Sequence, residues 1–107
     1  MATNGRAHYG APKILFVEAD LAVRESGCAV LNESGYDATA SSSQLAEIVL
    51  RIQKFDLIVL SATSECDWHR TLNLADGADV LVLDGLITPL ELVLLVAERL
   101  SRLQQRA

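Results

Sequence analysis

Four short apolar runs, each followed by a polar turn, constrain this chain more than any other feature. The first is Lys13-Ile14-Leu15-Phe16-Val17, with Glu18-Ala19-Asp20 directly after it. A run of β-formers with no polar alternation reads as a strand buried on both faces. Asp56-Leu57-Ile58-Val59-Leu60 and Asp79 to Leu83 repeat the pattern, and Tyr36 to Ala40 is a weaker version of it. Helical periodicity follows most of these runs. Strand, turn and helix in repetition argue for a parallel sheet with helices on both faces. Polar residues at the strand ends then collect at the carboxyl edge of the sheet, where open α/β folds place their ligand sites.

The helices have boundaries that can be read from the sequence. Asp20 or its neighbour caps the first, from Leu21 to about Ser34, with Leu21, Val23, Cys28, Val30 and Leu31 as its apolar positions. Gly35 stands where a C′ glycine ends a helix. Ser41-Ser42-Ser43 supplies an N-cap for a helix from about Gln44 to Gln53. Leu45, Ile48, Val49 and Ile52 give that helix the cleanest amphipathic spacing in the chain. A weak helix is expected from Cys66 to Ala75, anchored by Trp68 and Leu72 and broken at Asp76-Gly77. Thr88-Pro89 opens the last helix, which runs from about Leu90 to Gln104. Its basic end, with Arg99, Arg102 and Arg106, suits a helix C-terminus.

The chain is 107 residues long, which is one domain. Residues 1–12 read as a flexible arm and 13–107 as the domain. Half the residues are hydrophobic but only 5% are aromatic, so the core must be aliphatic. A formal charge of −5 argues against binding to nucleic acid or to a membrane surface. No apolar run is long enough to cross a membrane, and the N-terminus has no apolar signal segment. Two cysteines, Cys28 and Cys66, make no disulfide framework, and a cytoplasmic setting is expected.

Several stretches, in order, resemble the receiver domains of two-component response regulators. Ile14 to Asp20, followed by Ala22-Val23-Arg24-Glu25, is similar to that family's first strand, acidic cluster and first helix. Asn32-Glu33-Ser34-Gly35-Tyr36-Asp37-Ala38-Thr39-Ala40 resembles its helix end, GY turn and second strand. Phe55 to Leu60 resembles its third strand, and Gly77-Ala78-Asp79 the GAD that precedes its last. The resemblance implies a flavodoxin-like, receiver-like three-layer α/β sandwich, shortened from five βα units to four.

The departures bear on function. Where the resemblance places the phosphoacceptor Asp at the end of the third strand, Ser61 stands. Where it places a Lys near the end of the last strand, Asp84 stands, followed by Gly85. One acidic position is Ala19, while Glu18 and Asp20 remain. Leu60-Ser61-Ala62 also resembles the end of the family's fourth strand, which would make Ser61 the switch hydroxyl and remove the whole acceptor unit. The implied function is a phosphorylation-incompetent, non-enzymatic interaction module of bacterial signalling. Two alternatives stay open: a receiver phosphorylated on Asp84 with Mg²⁺, and a small-ligand sensor that uses the sheet's carboxyl edge.

Each candidate site has a plainer reading beside it. Glu18 and Asp20 offer oxygen ligands for Mg²⁺, or a helix cap and a solvated acid. Ser61, Thr63 and Ser64 offer a phosphate cradle, or ordinary turn chemistry. Cys66 and His69, with His8 in the arm, fall short of a zinc site. No nucleophile–base pair and no glycine-rich nucleotide loop is visible. The last helix carries more apolar residues than one face needs. Leu92, Leu94 and Leu95, with Trp68, are therefore the expected interface of a homodimer.

Overall fold

The computed structural model of the chain describes residues 10–61, 77–85 and 87–106. Among these residues the elements run β1 (Lys13–Val17), α1 (Leu21–Glu33), β2 (Asp37–Ser41), α2 (Ser43–Ile52), β3 (Leu57–Ser61), β4 (Asp79–Leu83) and α3 (Pro89–Arg106). The strands form one parallel sheet in the order β2-β1-β3-β4. This is the flavodoxin-like three-layer arrangement with a shortened sheet. The weak helix expected over 66–75 lies outside the described residues, as do Trp68, Thr63, Ser64, Cys66, His69 and His8. Most of the arm expected over 1–12 does too, although the Pro12 carbonyl accepts the Asp37 N–H at 3.0 Å and so anchors its end.

The unbroken apolar runs become the two central strands. Ile14, Leu15, Phe16 and Val17 are buried, as are Leu57 to Leu60. Alternate residues of a strand point to opposite faces, and the core divides accordingly. Ile14, Phe16, Leu57 and Val59 meet Leu31 of α1 and Leu92, Val96 and Leu100 of α3 on one face. Leu15, Val17, Ile58 and Leu60 meet Ala46 and Leu50 of α2 on the other. Thus α1 and α3 share a layer, and α2 lies opposite. The placement of α1 and α2 on opposite faces follows from right-handed crossovers that step outward to β2 and then back across β1 to β3.

The turn chemistry works as the sequence suggests. Asp20 caps α1, its carboxylate accepting the Val23 N–H at 3.0 Å. At the other end the Leu31 carbonyl accepts the Tyr36 N–H and the Asn32 carbonyl accepts the Gly35 N–H. That pair of bonds is a Schellman motif, and Gly35 adopts the positive φ of 98° that it requires. Ser42 caps α2, accepting the Leu45 N–H. At the start of α3 Thr88 and Glu91 bond reciprocally. The Thr88 N–H donates to Glu91 Oε1 at 2.9 Å, and the Glu91 N–H donates to Thr88 Oγ1 at 3.1 Å. This is a capping box.

The caps yield two predictions. Asp20→Ala should destabilise the domain by about 1 kcal/mol in chemical denaturation, the usual cost of a lost cap. The Thr88 backbone and hydroxyl hold the Glu91 carboxyl below its ordinary pKa. A lowered folded-state pKa means that the stabilisation is complete above the unfolded pKa and is lost as pH falls through the folded value. An NMR titration should therefore give a lower midpoint for Glu91 in the native protein than in Thr88→Ala.

The structure turns α2 away from the orientation its amphipathic stripe suggests. Ala46 and Leu50 face the sheet, while Leu45, Ile48 and Ile52 are 54%, 56% and 79% exposed. The small Ala46 allows the helix backbone a close approach, and Leu50 lies one turn along the same line. Val49 alone of the expected stripe joins the core, and only in part. In α1, Leu21 is likewise exposed, and the buried positions are Gly27 and Leu31.

Candidate functional site

The carboxyl edge is built outward from the register of the central strands. Val17 pairs with Leu60, so the next residues, Glu18 and Ser61, emerge side by side. Both are 3% exposed. The Glu18 N–H donates to the Ser41 carbonyl of the edge strand at 3.1 Å, and the Glu18 carbonyl accepts from the Arg24 guanidinium at 2.9 Å. The residue is thereby held by β2 and by the first turn of α1. Its carboxylate accepts the Asp20 N–H through Oε2 at 2.9 Å. The acidic pair is thus folded into the β1–α1 turn, one member bracing the backbone and the other capping the helix.

Both carboxylates bond to backbone N–H groups of their own turn. Among the described residues no group of three or more His, Cys, Asp or Glu side chains could hold a metal ion.

Asp84 requires a correction. Phosphorylation there with Mg²⁺ needs the last strand beside the first, so that Asp84 joins Glu18 and Asp20. The sheet instead places β3 between β1 and β4. Asp84 is exposed at the end of the edge strand. The reason is chain order: each parallel step must be spanned by a crossover, and β4 adds beyond β3 instead of displacing it.

A cavity of about 140 Å³ opens beside Glu18 and Ser61. Its polar wall consists of Glu18, Ser61, Ser26 and Thr88. Its apolar wall comes from Phe16, Val23, Leu83, Ile87 and Leu92. Gly27 of α1 forms part of the floor. A Cβ at Gly27 would lie 2.4 Å from Phe16 Cε2 and 3.1 Å from Leu92 Cδ2. Glycine is therefore required for helix, strand and α3 to meet there. The sequence reading singled out Glu18 and Ser61 but missed Ser26, Gly27 and Thr88 as neighbours of the site. Thr88-Pro89 is the signal that marked the start of α3, and the strand order then brings that start over the sheet edge.

The expected interface residues separate. Leu92 must be corrected: it is 3% exposed and packs inside the monomer against the α1 face of the sheet. Leu94 and Leu95 are 60% and 37% exposed, and Leu90, which precedes Leu94 by one turn, is 67% exposed. Cys28 is half-buried, and burial raises the pKa of its thiol. Its Sγ contacts the Ala38 carbonyl and Asn32, so it is a packed thiol without the lowered pKa of a reactive one.

No helix among the described residues is long and apolar enough to cross a membrane. No family model matches this sequence, and no curated protein matches it.

Proposed function

We propose that this chain is a receiver-like binding module without a phosphoacceptor, working by association with a second copy of itself or another protein, in a cytoplasmic signalling setting. The observation that carries the reading is Ser61. It ends the strand that pairs with β1 on the side away from β2, and it adjoins Glu18 in the buried site. A receiver acts by forming an acyl phosphate on a carboxylate at such a strand end, and a serine hydroxyl forms no acyl phosphate. The carboxylates nearby are committed to backbone bonds in the β1–α1 turn.

Association is supported by α3. Leu92, Val96 and Leu100 supply its core face, so the surface leucines are surplus to the monomer. Leu90 and Leu94 stand one turn apart on the outside, and Ala97 and Ser101 continue the row. Of the arginines on this helix, Arg99 turns inward to the Asp79 carboxylate and the Val80 carbonyl of β4, and Arg102 pairs with Glu98 on the helix surface. Two copies of α3 packed along this row would cover Leu90 and Leu94 of each. The Glu98–Arg102 ion pair on this surface is exposed, so it adds little to monomer stability.

Incubation with Mg²⁺ and acetyl phosphate, followed by intact-mass measurement, tests the missing acceptor. The expected mass is that of the unmodified chain. A stoichiometric phosphate adduct would contradict the reading.

A further inference from the structure

The cavity at the sheet's carboxyl edge is a gap between two helix starts. Gly27 and Leu92 bring α1 and α3 together, since a Cβ at Gly27 would lie 3.1 Å from Leu92 Cδ2. One turn earlier in each helix, Val23 and Thr88 line open space instead. Val23 and Ile87 pack against the core but are only partly buried. With Phe16, Leu83 and Leu92 they give the space an apolar surface. The polar groups on its wall have bonds of their own. Glu18 and Ser61 are held within the protein. The Ser26 hydroxyl donates to the Val23 carbonyl at 3.3 Å, and Thr88 Oγ1 accepts the Glu91 N–H. None of them needs a ligand to complete it, so what an occupant gains here is the removal of apolar surface from water. The volume of about 140 Å³ is close to that of an apolar cavity known to hold benzene, of roughly 150 Å³.

We propose that this cavity binds a small neutral molecule of about benzene size, aromatic or branched aliphatic, and that its apolar surface drives the binding. The ligand lies against Phe16, Val23, Leu83, Ile87 and Leu92, and it displaces water that apolar walls hold poorly. It makes no bond to Glu18 or Ser61. The inference is independent of self-association and of the missing phosphoacceptor.

Titration of the ¹⁵N-labelled full chain with benzene tests it, with phenol as the polar comparison. Benzene should produce saturable shifts confined to the cavity lining, at Gly27, Leu83 and Ile87. Phenol should bind no more tightly than benzene, because its hydroxyl leaves water for a wall whose polar groups are already bonded. Val23→Phe should fill the space and weaken benzene binding at least about ten-fold. Ser26→Phe, a change at an exposed position on the cavity rim, should do the same and keeps the test usable if Val23→Phe fails to fold. Absent, non-saturable or scattered shifts with benzene, phenol binding tighter than benzene, or wild-type benzene affinity in either folded variant would overturn the proposal.

Discussion

Gly27→Val should destabilise the domain by about 3 kcal/mol, read as a lowered urea midpoint with an unchanged m-value. Two effects of the substitution oppose each other. Removing a glycine from a helix interior is favourable by less than about 1 kcal/mol, because the unfolded chain loses freedom. The added Cβ, however, falls 2.4 Å from the ring of Phe16 and 3.1 Å from Leu92. Phe16 is only 2% exposed and sits in the central strand, so its ring can yield only by turning into the cavity it lines or by moving β1 or α1. Valine adds two further methyl groups to the same gap. Overpacking of this kind outweighs the propensity gain. Adding Phe16→Leu to Gly27→Val should recover part of the loss, because the two sites are in contact and couple. An unchanged midpoint for Gly27→Val would mean that α1 does not approach the sheet this closely.

The second large effect is expected at Asn32. This side chain sits at the end of α1 and bonds to the edge strand in both directions. Its Oδ1 accepts the Ala38 N–H at 3.0 Å, and its Nδ2 donates to the Ala38 carbonyl at 3.2 Å and to the Cys28 carbonyl at 3.0 Å. An edge strand presents one row of unpaired backbone groups, and Asn32 supplies for Ala38 what a further strand would supply. Asn32→Leu removes these bonds and leaves a nearly buried N–H and C=O without their side-chain partner. The expected loss is about 2 to 3 kcal/mol, the desolvation cost of such groups. Amide exchange should localise it, with Ala38 losing protection before the β1 amides do. Asn32→Asp keeps the acceptor but not the donor, and should fall between the two.

The central strands and the helix caps were legible because their signals are local. Ile14 to Val17 and Leu57 to Leu60 contain no polar residue, and such segments fit only a strand covered on both faces. Gly35 marked the end of α1 because the positive φ there suits glycine. The orientation of α2 was not legible. Its apolar residues point to Leu45, Ile48 and Ile52, yet the helix seats on Ala46 and Leu50, since a small residue lets a backbone come close to a sheet. The place of Asp84 was also hidden. Its strand resembles one that ends in an acceptor, but which strands are neighbours is a property of the whole topology. The cavity is of the same kind. Its walls come from β1, α1, β3, β4 and α3, and no local pattern joins them.

Sedimentation equilibrium of the wild-type chain and of Leu94→Glu, run over a wide concentration range, tests the association claim most directly. Leu94 is 60% exposed, so the charge should leave the monomer fold intact, and far-UV circular dichroism should be unchanged. The account expects a dimer mass for the wild type at high concentration, falling to monomer on dilution, and a monomer mass for Leu94→Glu throughout. A wild-type chain that stays monomeric at the highest concentration, or a Leu94→Glu variant that dimerises as well as the wild type, would contradict it.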